Sequence, residues 1–234
     1  MYKNIKTIAF DADDTLWVNE TYFREAELKF AQLMQPYETI NQINQELFKI
    51  EIDNLAYYGY GIKGFVLSMI EAALKLSNNQ VTQHTIAEIL TIGKDMMDKP
   101  VELLDGVEDV LRELSPKYRL VLATKGDLMD QERKLEKSGL LKYFHHIEVM
   151  SDKKASDYTK LIGHLDIKPP EFLMIGNSLK SDILPLLEIG AQAIHVPFHT
   201  TWQHEEVHEK ELDSADFQTI NKLKEVLSHI SLKS

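Results

Sequence analysis

The hydrophobic pattern changes twice along the chain and divides it into segments of different predicted structure. Residues 5–10 form a short apolar run that stops at polar residues, which is typical of a buried β-strand. From about residue 20 to residue 97 the apolar positions recur at helical spacing, which predicts a block of helices. Beyond residue 100, short apolar strands alternate with helices, which predicts parallel strands joined by right-handed crossovers.

The helical block carries start and stop signals. Thr39 with Gln42 is a capping box, Thr82 is a suitable N-cap, and Pro36 and Pro100 follow predicted helix ends. The predicted helices are 20–35, 40–55, 63–76 and 83–97. The block is an all-helical insertion after the first strand.

In the alternating segment we predict four strands: 120–123, 147–150, 172–175 and 193–196. The predicted helices of this segment are 106–114, 130–138, 158–165 and 183–189, with a last amphipathic helix at 219–230. Gly139 and Gly190 are good helix stops. The fold class is therefore α/β, with a parallel sheet that includes the first strand.

Composition narrows the functional classes. The 234 residues carry a formal net charge of -11, which argues against a general nucleic-acid binder. There is no cysteine, so thiolate chemistry and disulfides are excluded. The sequence has no apolar run of membrane-spanning length and no signal-peptide core near its start. We expect a cytoplasmic protein that binds neither membranes nor nucleic acid.

Candidate chemistry begins where the first strand ends. Asp11 and Asp13 follow the apolar run one residue apart. Ligands of open α/β sheets bind at the carboxyl ends of the strands. Two carboxylates that lie close together repel unless a cation or a shared proton intervenes, and Mg²⁺ prefers such oxygen ligands. The pair therefore predicts a cation site at the sheet edge.

The segment Asp11-x-Asp13-x-Thr15-Leu16 resembles the first motif of the haloacid dehalogenase-like (HAD) superfamily. The resemblance implies that Asp11 attacks phosphorus and forms an aspartyl-phosphate. It implies that Asp13 protonates the leaving oxygen and later activates water. Mg²⁺ is the implied cofactor, bound by Asp11 and by Asp13 through its backbone carbonyl.

Two further elements match this family in chain order. Thr124 ends an apolar strand, as in the second motif, and its hydroxyl is expected to hold a phosphoryl oxygen together with the backbone at Lys125 and Gly126. The third motif is a lysine between a strand and a helix. Lys153 fits the spacing better than Lys154, which stays an alternative.

The fourth motif, Gly-Asp followed by a second Asp, is present with a departure. Asn177 stands after Gly176 where the family has Asp, and Asp182 follows five residues later. An amide oxygen still coordinates Mg²⁺ but brings no charge. We therefore predict Asn177 and Asp182 as metal ligands and leave open which of them touches the ion directly.

The resemblance implies a Rossmann-like core, residues 1–17 and 99–234, with an inserted helical cap, residues 18–98. Cap loops of this family often select the substrate. The Tyr/Gly-rich loop therefore supplies predicted substrate contacts: Tyr57, Tyr58, Tyr60 and Lys63.

Two other motif matches are set aside. Residues 59–64 fit G-x-G-x-x-G, but a dinucleotide site needs a preceding strand, and a helix is predicted there. Residues 204–208 fit the H-E-x-x-H zinc pattern. This stretch is short and polar, and we interpret it as a solvated acidic segment.

The sequence thus predicts a Mg²⁺-dependent phosphatase acting on a small phosphorylated metabolite. The forms of the first and fourth motifs resemble members acting on nucleoside monophosphates or FMN. The alternatives are a 2-haloacid dehalogenase, which would lack Asp13, a phosphomutase, or a non-catalytic binding module, for which Asn177 is the one hint. The sequence makes no prediction of the oligomeric state.

Overall fold

A computed structural model describes residue 2, residues 4–207, residue 212 and residues 215–230. The described residues fall into two compact units. The first, the sheet unit, draws on Met1–Glu20, Val101–Lys125 and Gln131–Ser234. The second, the helical unit, draws on Thr21–Pro100 and Gly126–Asp130. The interpretation of these units as core and cap remains a proposal.

The sheet unit contains a parallel sheet with the strand order β3-β2-β1-β4-β5-β6. The strands are β1 Thr7–Phe10, β2 Arg119–Lys125, β3 His146–Met150, β4 Phe172–Gly176, β5 Gln192–His195 and β6 Gln218–Thr219. The order reverses at β1, which pairs with β2 on one side and β4 on the other. Such a switch point is where open α/β sheets bind ligands.

The helical unit contains α1 Glu20–Met34, α2 Ile40–Tyr58, α3 Ile62–Leu76 and α4 Gln83–Asp98. All four predicted helices are confirmed. The hydroxyl of Thr39 accepts the Gln42 N–H, and that of Thr82 accepts the Thr85 N–H, so both residues are N-caps. The Gln42 side chain accepts from the Thr39 hydroxyl over 2.6 Å, which differs from the backbone contact of the predicted capping box. A separate apolar core fills this unit, with Phe30 and Met69 fully buried.

The sheet unit also contains α5 Val107–Leu114, α7 Ala155–His164, α8 Leu184–Glu188 and α9 Val226–His229. Helix α6, Leu128–Ser138, belongs to it from Gln131 onward, and its first residues group with the helical unit. Helices pack on both faces of the sheet. Alternate residues of β1 therefore enter different cores: Ile8 and Phe10 join one cluster, and Ala9 joins the other. This explains why all four residues of β1 are apolar or buried and read as a continuous run.

The predicted tail helix 219–230 is wrong in its first part. Residues Gln218–Thr219 form β6, and Ile220 donates its N–H to the His195 carbonyl over 2.9 Å. β5 would otherwise present unpaired backbone at the sheet edge, and pairing with β6 satisfies it. The predicted helix 183–189 is also modified, because a π-helical turn, Leu179–Ile183, precedes α8.

Within the described part of the chain, every helix is too short or too polar to cross a membrane.

Candidate active site

The site is built from residues that follow the carboxyl ends of β1, β3 and β4. Phe10, the last residue of β1, is in register with Ile175 of β4. The next residue, Asp11, donates its backbone N–H to the Ile175 carbonyl over 2.9 Å. The strand register therefore places Asp11 beside Gly176 and Asn177.

Lys153 bridges two carboxylates. Its Nζ lies 2.5 Å from Asp11 Oδ1 and 2.7 Å from Asp182 Oδ1. The side chains of Lys153 and Asp182 are each 1 % exposed, so water cannot replace these contacts. Lys154, the alternative considered from sequence, is exposed and pairs with Asp152 instead.

The electrostatics of this group leave negative charge unmatched. Burial raises the pKa of Asp11 to about 7, with Lys153 opposing the shift and Asp182 adding to it. Burial also acts to lower the pKa of Lys153, but the charges of Asp11 and Asp182 outweigh it and hold that pKa well above its usual value. One ammonium therefore faces two carboxylates, and a cation would complete the balance.

The Asp182 carboxylate is held by the turn that contains it. The Ser178 N–H donates to Asp182 Oδ2 over 3.0 Å, while Ser178 Oγ accepts the Ser181 N–H. A side chain at Gly176 would overlap the Asp182 carboxylate, which explains glycine at the end of β4. Both oxygens of Asp182 are thus engaged within the protein.

Asn177 faces the other side of Asp11. Its amide group lies 3.2 Å from Asp11 Oδ2, 3.1 Å from the Asp13 carbonyl oxygen and 3.0 Å from Thr15 Oγ1. In one orientation of the amide, Asn177 Oδ1 faces this group and accepts from Thr15 Oγ1 over 3.0 Å. A half-turn of the amide turns its nitrogen toward the three oxygens as a donor instead.

These groups fit a hard cation. A carboxylate oxygen, a backbone carbonyl and an amide oxygen are ligands that Mg²⁺ accepts, with waters completing its shell. No cluster of three or more His, Cys, Asp or Glu side chains suited to a metal occurs among the described residues. The candidate set instead depends on Asp11, the Asp13 backbone and Asn177, and it favours Asn177 over Asp182.

The Asp13 side chain points to a different set of partners. Its carboxylate accepts hydrogen bonds from Trp17, Gln131 and Lys134. Sequence reasoning assigned no role to these residues. Gln131 and Lys134 are more than a hundred positions from Asp13, and only their spacing of three on one helix hints that they share a face.

The residues predicted to hold a phosphoryl group, Thr124, Lys125 and Gly126, lie at and just after the end of β2. Thr124 is 1 % exposed and donates from Oγ1 to the Lys125 carbonyl over 3.2 Å. Lys125 Nζ lies 2.6 Å from Glu205 Oε1 and 2.9 Å from Ser181 Oγ. Gly126 has φ 126° and groups with the helical unit. The Lys125 charge is therefore already paired with a carboxylate.

The prediction of a solvated segment around residue 204 is wrong for Glu205. Its side chain is 12 % exposed and accepts hydrogen bonds from Ser178 Oγ and Ser181 Oγ, each over 2.5 Å. Burial acts to raise the pKa of Glu205, but Lys125 and the two hydroxyls outweigh it and lower that pKa to about 2. A polar segment after β5 thus supplies a buried carboxylate. His204 lies on a 3-10 turn, Gln203–Glu205, and His208 lies outside the described residues.

The four substrate contacts predicted in the Tyr/Gly-rich loop belong to the helical unit. Tyr57 is 81 % exposed, and Tyr58 donates its hydroxyl to Glu71 over 2.8 Å. Lys63 pairs with Asp127 of the same unit at 2.9 Å. Tyr60 lies in the turn between α2 and α3, so a helix and not a strand precedes the G-x-G-x-x-G segment. The contact of these residues with substrate stays a prediction.

Comparison with known proteins agrees with the motifs. The family model of haloacid dehalogenase-like hydrolases matches residues 5–190. A haloacid dehalogenase-like family hydrolase from Xanthomonas campestris is 39% identical, with a TM-score of 0.80 over 89% of this chain and 88% of that one. N-acylneuraminate-9-phosphatase of Mus musculus is 24% identical over 200 residues, 81% of each chain.

A more distant structure, the HAD-hydrolase YfnB of Bacillus subtilis bound to magnesium, shares the fold. It has a TM-score of 0.66 at 20% identity over 97% of this chain and 99% of that one. The family match covers most of the chain and includes Asp11, Asp13, Lys153, Asn177 and Asp182 of the candidate site. The chain belongs to the haloacid dehalogenase-like hydrolases.

Proposed function

We propose that the protein is a Mg²⁺-dependent phosphatase that hydrolyses a small phosphorylated metabolite through an aspartyl-phosphate at Asp11. The observation that carries the proposal is that the carboxylates of Asp11 and Asp13 face different sets of partners. Asp11 is 7 % exposed, contacts Lys153 and faces the candidate metal ligands. Asp13 is more exposed and turns its carboxylate to a separate set of donors.

In the first half of the reaction an Asp11 oxygen attacks phosphorus. The bond from phosphorus to the leaving oxygen breaks, and that oxygen takes a proton from the Asp13 carboxyl group. In the second half, water attacks the phosphoryl group while the Asp13 carboxylate takes a proton from it. The bond to Asp11 breaks, which releases inorganic phosphate and restores the Asp11 carboxylate.

Charge stabilisation follows from the same residues. Lys153 keeps its ammonium beside Asp11, where the transferred group would sit, and Thr124 would supply a hydroxyl at the end of β2. Mg²⁺, held by Asp11, the Asp13 carbonyl and Asn177, would neutralise phosphoryl oxygens and orient the phosphate. Asp13 also separates this proposal from a 2-haloacid dehalogenase, in which the sequence pattern would lack the second aspartate.

For the substrate we propose a phosphomonoester of a small metabolite. The motifs favour a nucleoside monophosphate or FMN. The curated relatives are named for N-acylneuraminate 9-phosphate, which makes this sugar phosphate a necessary member of any screen.

The test is release of inorganic phosphate from p-nitrophenyl phosphate and a panel of these metabolites, with Mg²⁺ or with excess chelator. We expect Mg²⁺-dependent turnover and a strong preference for one metabolite. No hydrolysis of any phosphomonoester at saturating Mg²⁺ would contradict the proposal.

A further inference from the structure

Three side chains donate hydrogen bonds to the Asp13 carboxylate. Trp17 Nε1 lies 2.7 Å and Lys134 Nζ 2.6 Å from Asp13 Oδ1. Gln131 Nε2 lies 2.8 Å from Oδ2. Because both oxygens are engaged, the plane of the carboxylate is fixed by donors on its two sides.

The donors are themselves fixed. Trp17 is 1 % exposed, and its carbonyl accepts the Asp14 N–H over 2.7 Å. Gln131 and Lys134 stand three positions apart on α6, so they project from the same helix face. Gln131 is 3 % exposed and donates from Nε2 to the Lys125 carbonyl as well, over 2.8 Å. We call these three donors, Trp17, Gln131 and Lys134, the Asp13 clamp. It consists of a buried indole ring and two side chains of one helix.

The orientation of the Gln131 amide carries a desolvation penalty. Its Oε1 is buried and accepts no hydrogen bond from the described residues. A buried acceptor without a partner loses its hydration without compensation. The orientation is set by the nitrogen, which serves Asp13 and the Lys125 carbonyl. An apolar residue of similar size would avoid this desolvation penalty. The presence of glutamine at this position therefore indicates that its hydrogen bond to Asp13 is important.

Asp13 nevertheless stays accessible. Its side chain is 23% exposed, against 1% for Asp182. A proton-transferring group needs both a fixed orientation and reach to the reacting oxygen. Asp13 combines the two, whereas Asp182 is sealed inside the protein.

We propose that Gln131 and Lys134 are positioning residues that hold the Asp13 carboxyl group for proton transfer to the leaving oxygen. This inference rests on the phosphatase function proposed above. As the bond to phosphorus breaks, its electron pair stays on the leaving oxygen, and the Asp13 proton neutralises it. A leaving group that is stable as an anion, such as p-nitrophenolate, needs this proton little, and an alkoxide needs it fully.

The leaving group therefore supplies the test. We compare kcat/KM for the preferred alkyl phosphate with kcat/KM for p-nitrophenyl phosphate, because this constant reports the steps up to leaving-group departure. The variants are Gln131→Met and Lys134→Met. Lys137→Met, an exposed lysine on the same helix, is the matched control. Lys134→Arg tests rescue by a conservative cation.

General acid catalysis contributes roughly 10²- to 10⁴-fold, so loss of positioning should remove about tenfold or more. We expect the alkyl-to-aryl ratio of kcat/KM to fall by that factor in Gln131→Met and Lys134→Met. The Lys137→Met ratio should equal that of the unmodified protein, and Lys134→Arg should recover most of the loss. If Gln131→Met does not fold, the Lys134 variants decide, because that side chain is 15% exposed.

Equal losses on both substrates would overturn the inference, because a structural role moves both constants together. Asp13→Asn separates this failure from failure of the proposed function. If Asp13→Asn lowers the ratio and the clamp variants do not, Asp13 is the acid and the clamp is wrong. If Asp13→Asn leaves the ratio unchanged, the acid role itself fails, and the inference with it.

Discussion

At the residue scale, the site is organised by how its charges are shared. Lys153 serves Asp11 and Asp182 with one ammonium, both contacts being at 2.7 Å or less. Asp182 pairs with Lys153 and is sealed from water, so we infer that it positions the Lys153 ammonium. The second oxygen of Asp11 lies 3.2 Å from the Asn177 amide group and 3.5 Å from the Thr15 hydroxyl. That oxygen is the one left for a cation or for phosphorus.

Replacing Asp11 by Asn tests the nucleophile. The amide is nearly the same size but cannot attack phosphorus, so we expect turnover to fall by roughly 10⁴-fold or more. The measurement is phosphate release, with circular dichroism to show that the fold persists. Asp53→Asn, an exposed change on α2, is the control and should leave turnover unchanged. Retained turnover in Asp11→Asn would exclude the aspartyl-phosphate mechanism.

Asn177 sets the charge of the candidate metal site. Asn177→Asp adds a negative charge to the oxygen ligands, and hard cations gain most from charged ligands. We expect the Mg²⁺ concentration for half-maximal activity to fall severalfold, while the exposed control Asn41→Asp leaves it unchanged. An unchanged or higher Mg²⁺ requirement in Asn177→Asp would remove Asn177 from the ligands and return Asp182 to consideration.

At the element scale, Glu205 joins two loops of the site. It pairs with Lys125 at the end of β2 and with two serines of the π-helical turn after β4. That turn carries Asp182, which in turn holds Lys153. A chain segment after β5 thus links two loops of the candidate site through one carboxylate.

Glu205→Gln should destabilise the fold in a pH-dependent way. The folded state lowers the pKa of Glu205 from 4.5 to about 2, so the ionised form is stabilised by folding. By linkage this contributes about 3 kcal/mol above pH 4.5, and the contribution is lost as pH falls from 4.5 toward 2. Urea unfolding of both proteins at several pH values measures it, with the exposed neighbour Glu206→Gln as control. Equal stability of Glu205→Gln and the parent protein at pH 7 would contradict the prediction.

The elements also show what the sequence could predict. Helices with caps, such as α2 behind Thr39, and strands with apolar cores were predictable because their signals are local. Strand β6 was not predictable from sequence, because it has only two residues and these form a strand by pairing with β5. The ion pairs of Glu205 and Lys134 were not predictable either, because their partners are distant in sequence. A single charged residue in a sequence normally lies on the surface.

At the scale of the whole molecule, two units with separate cores carry different parts of the predicted site. The acidic residues, Lys153 and the Asp13 clamp belong to the sheet unit. The predicted substrate contacts, residues 57–63, belong to the helical unit. The sequence predicts a separate helical block because the hydrophobic period changes near residues 20 and 100, but residues Gly126–Asp130 of the helical unit lie outside that block. The contact of the helical unit with substrate was proposed only through the family resemblance.

Hydrogen exchange tests that last proposal directly. With Mg²⁺ and vanadate, a mimic of the transferred phosphoryl group, amides at the ends of β1, β3 and β4 should exchange more slowly, because bound ligand suppresses local opening. Addition of the preferred metabolite should extend the slowing to residues 57–63 if Tyr57, Tyr58, Tyr60 or Lys63 contacts it. Peptides from the middle of α4 serve as the control, since no site residue is predicted there. Slowing at the strand ends without any change at 57–63 would leave the phosphatase chemistry standing and remove the helical unit from substrate selection.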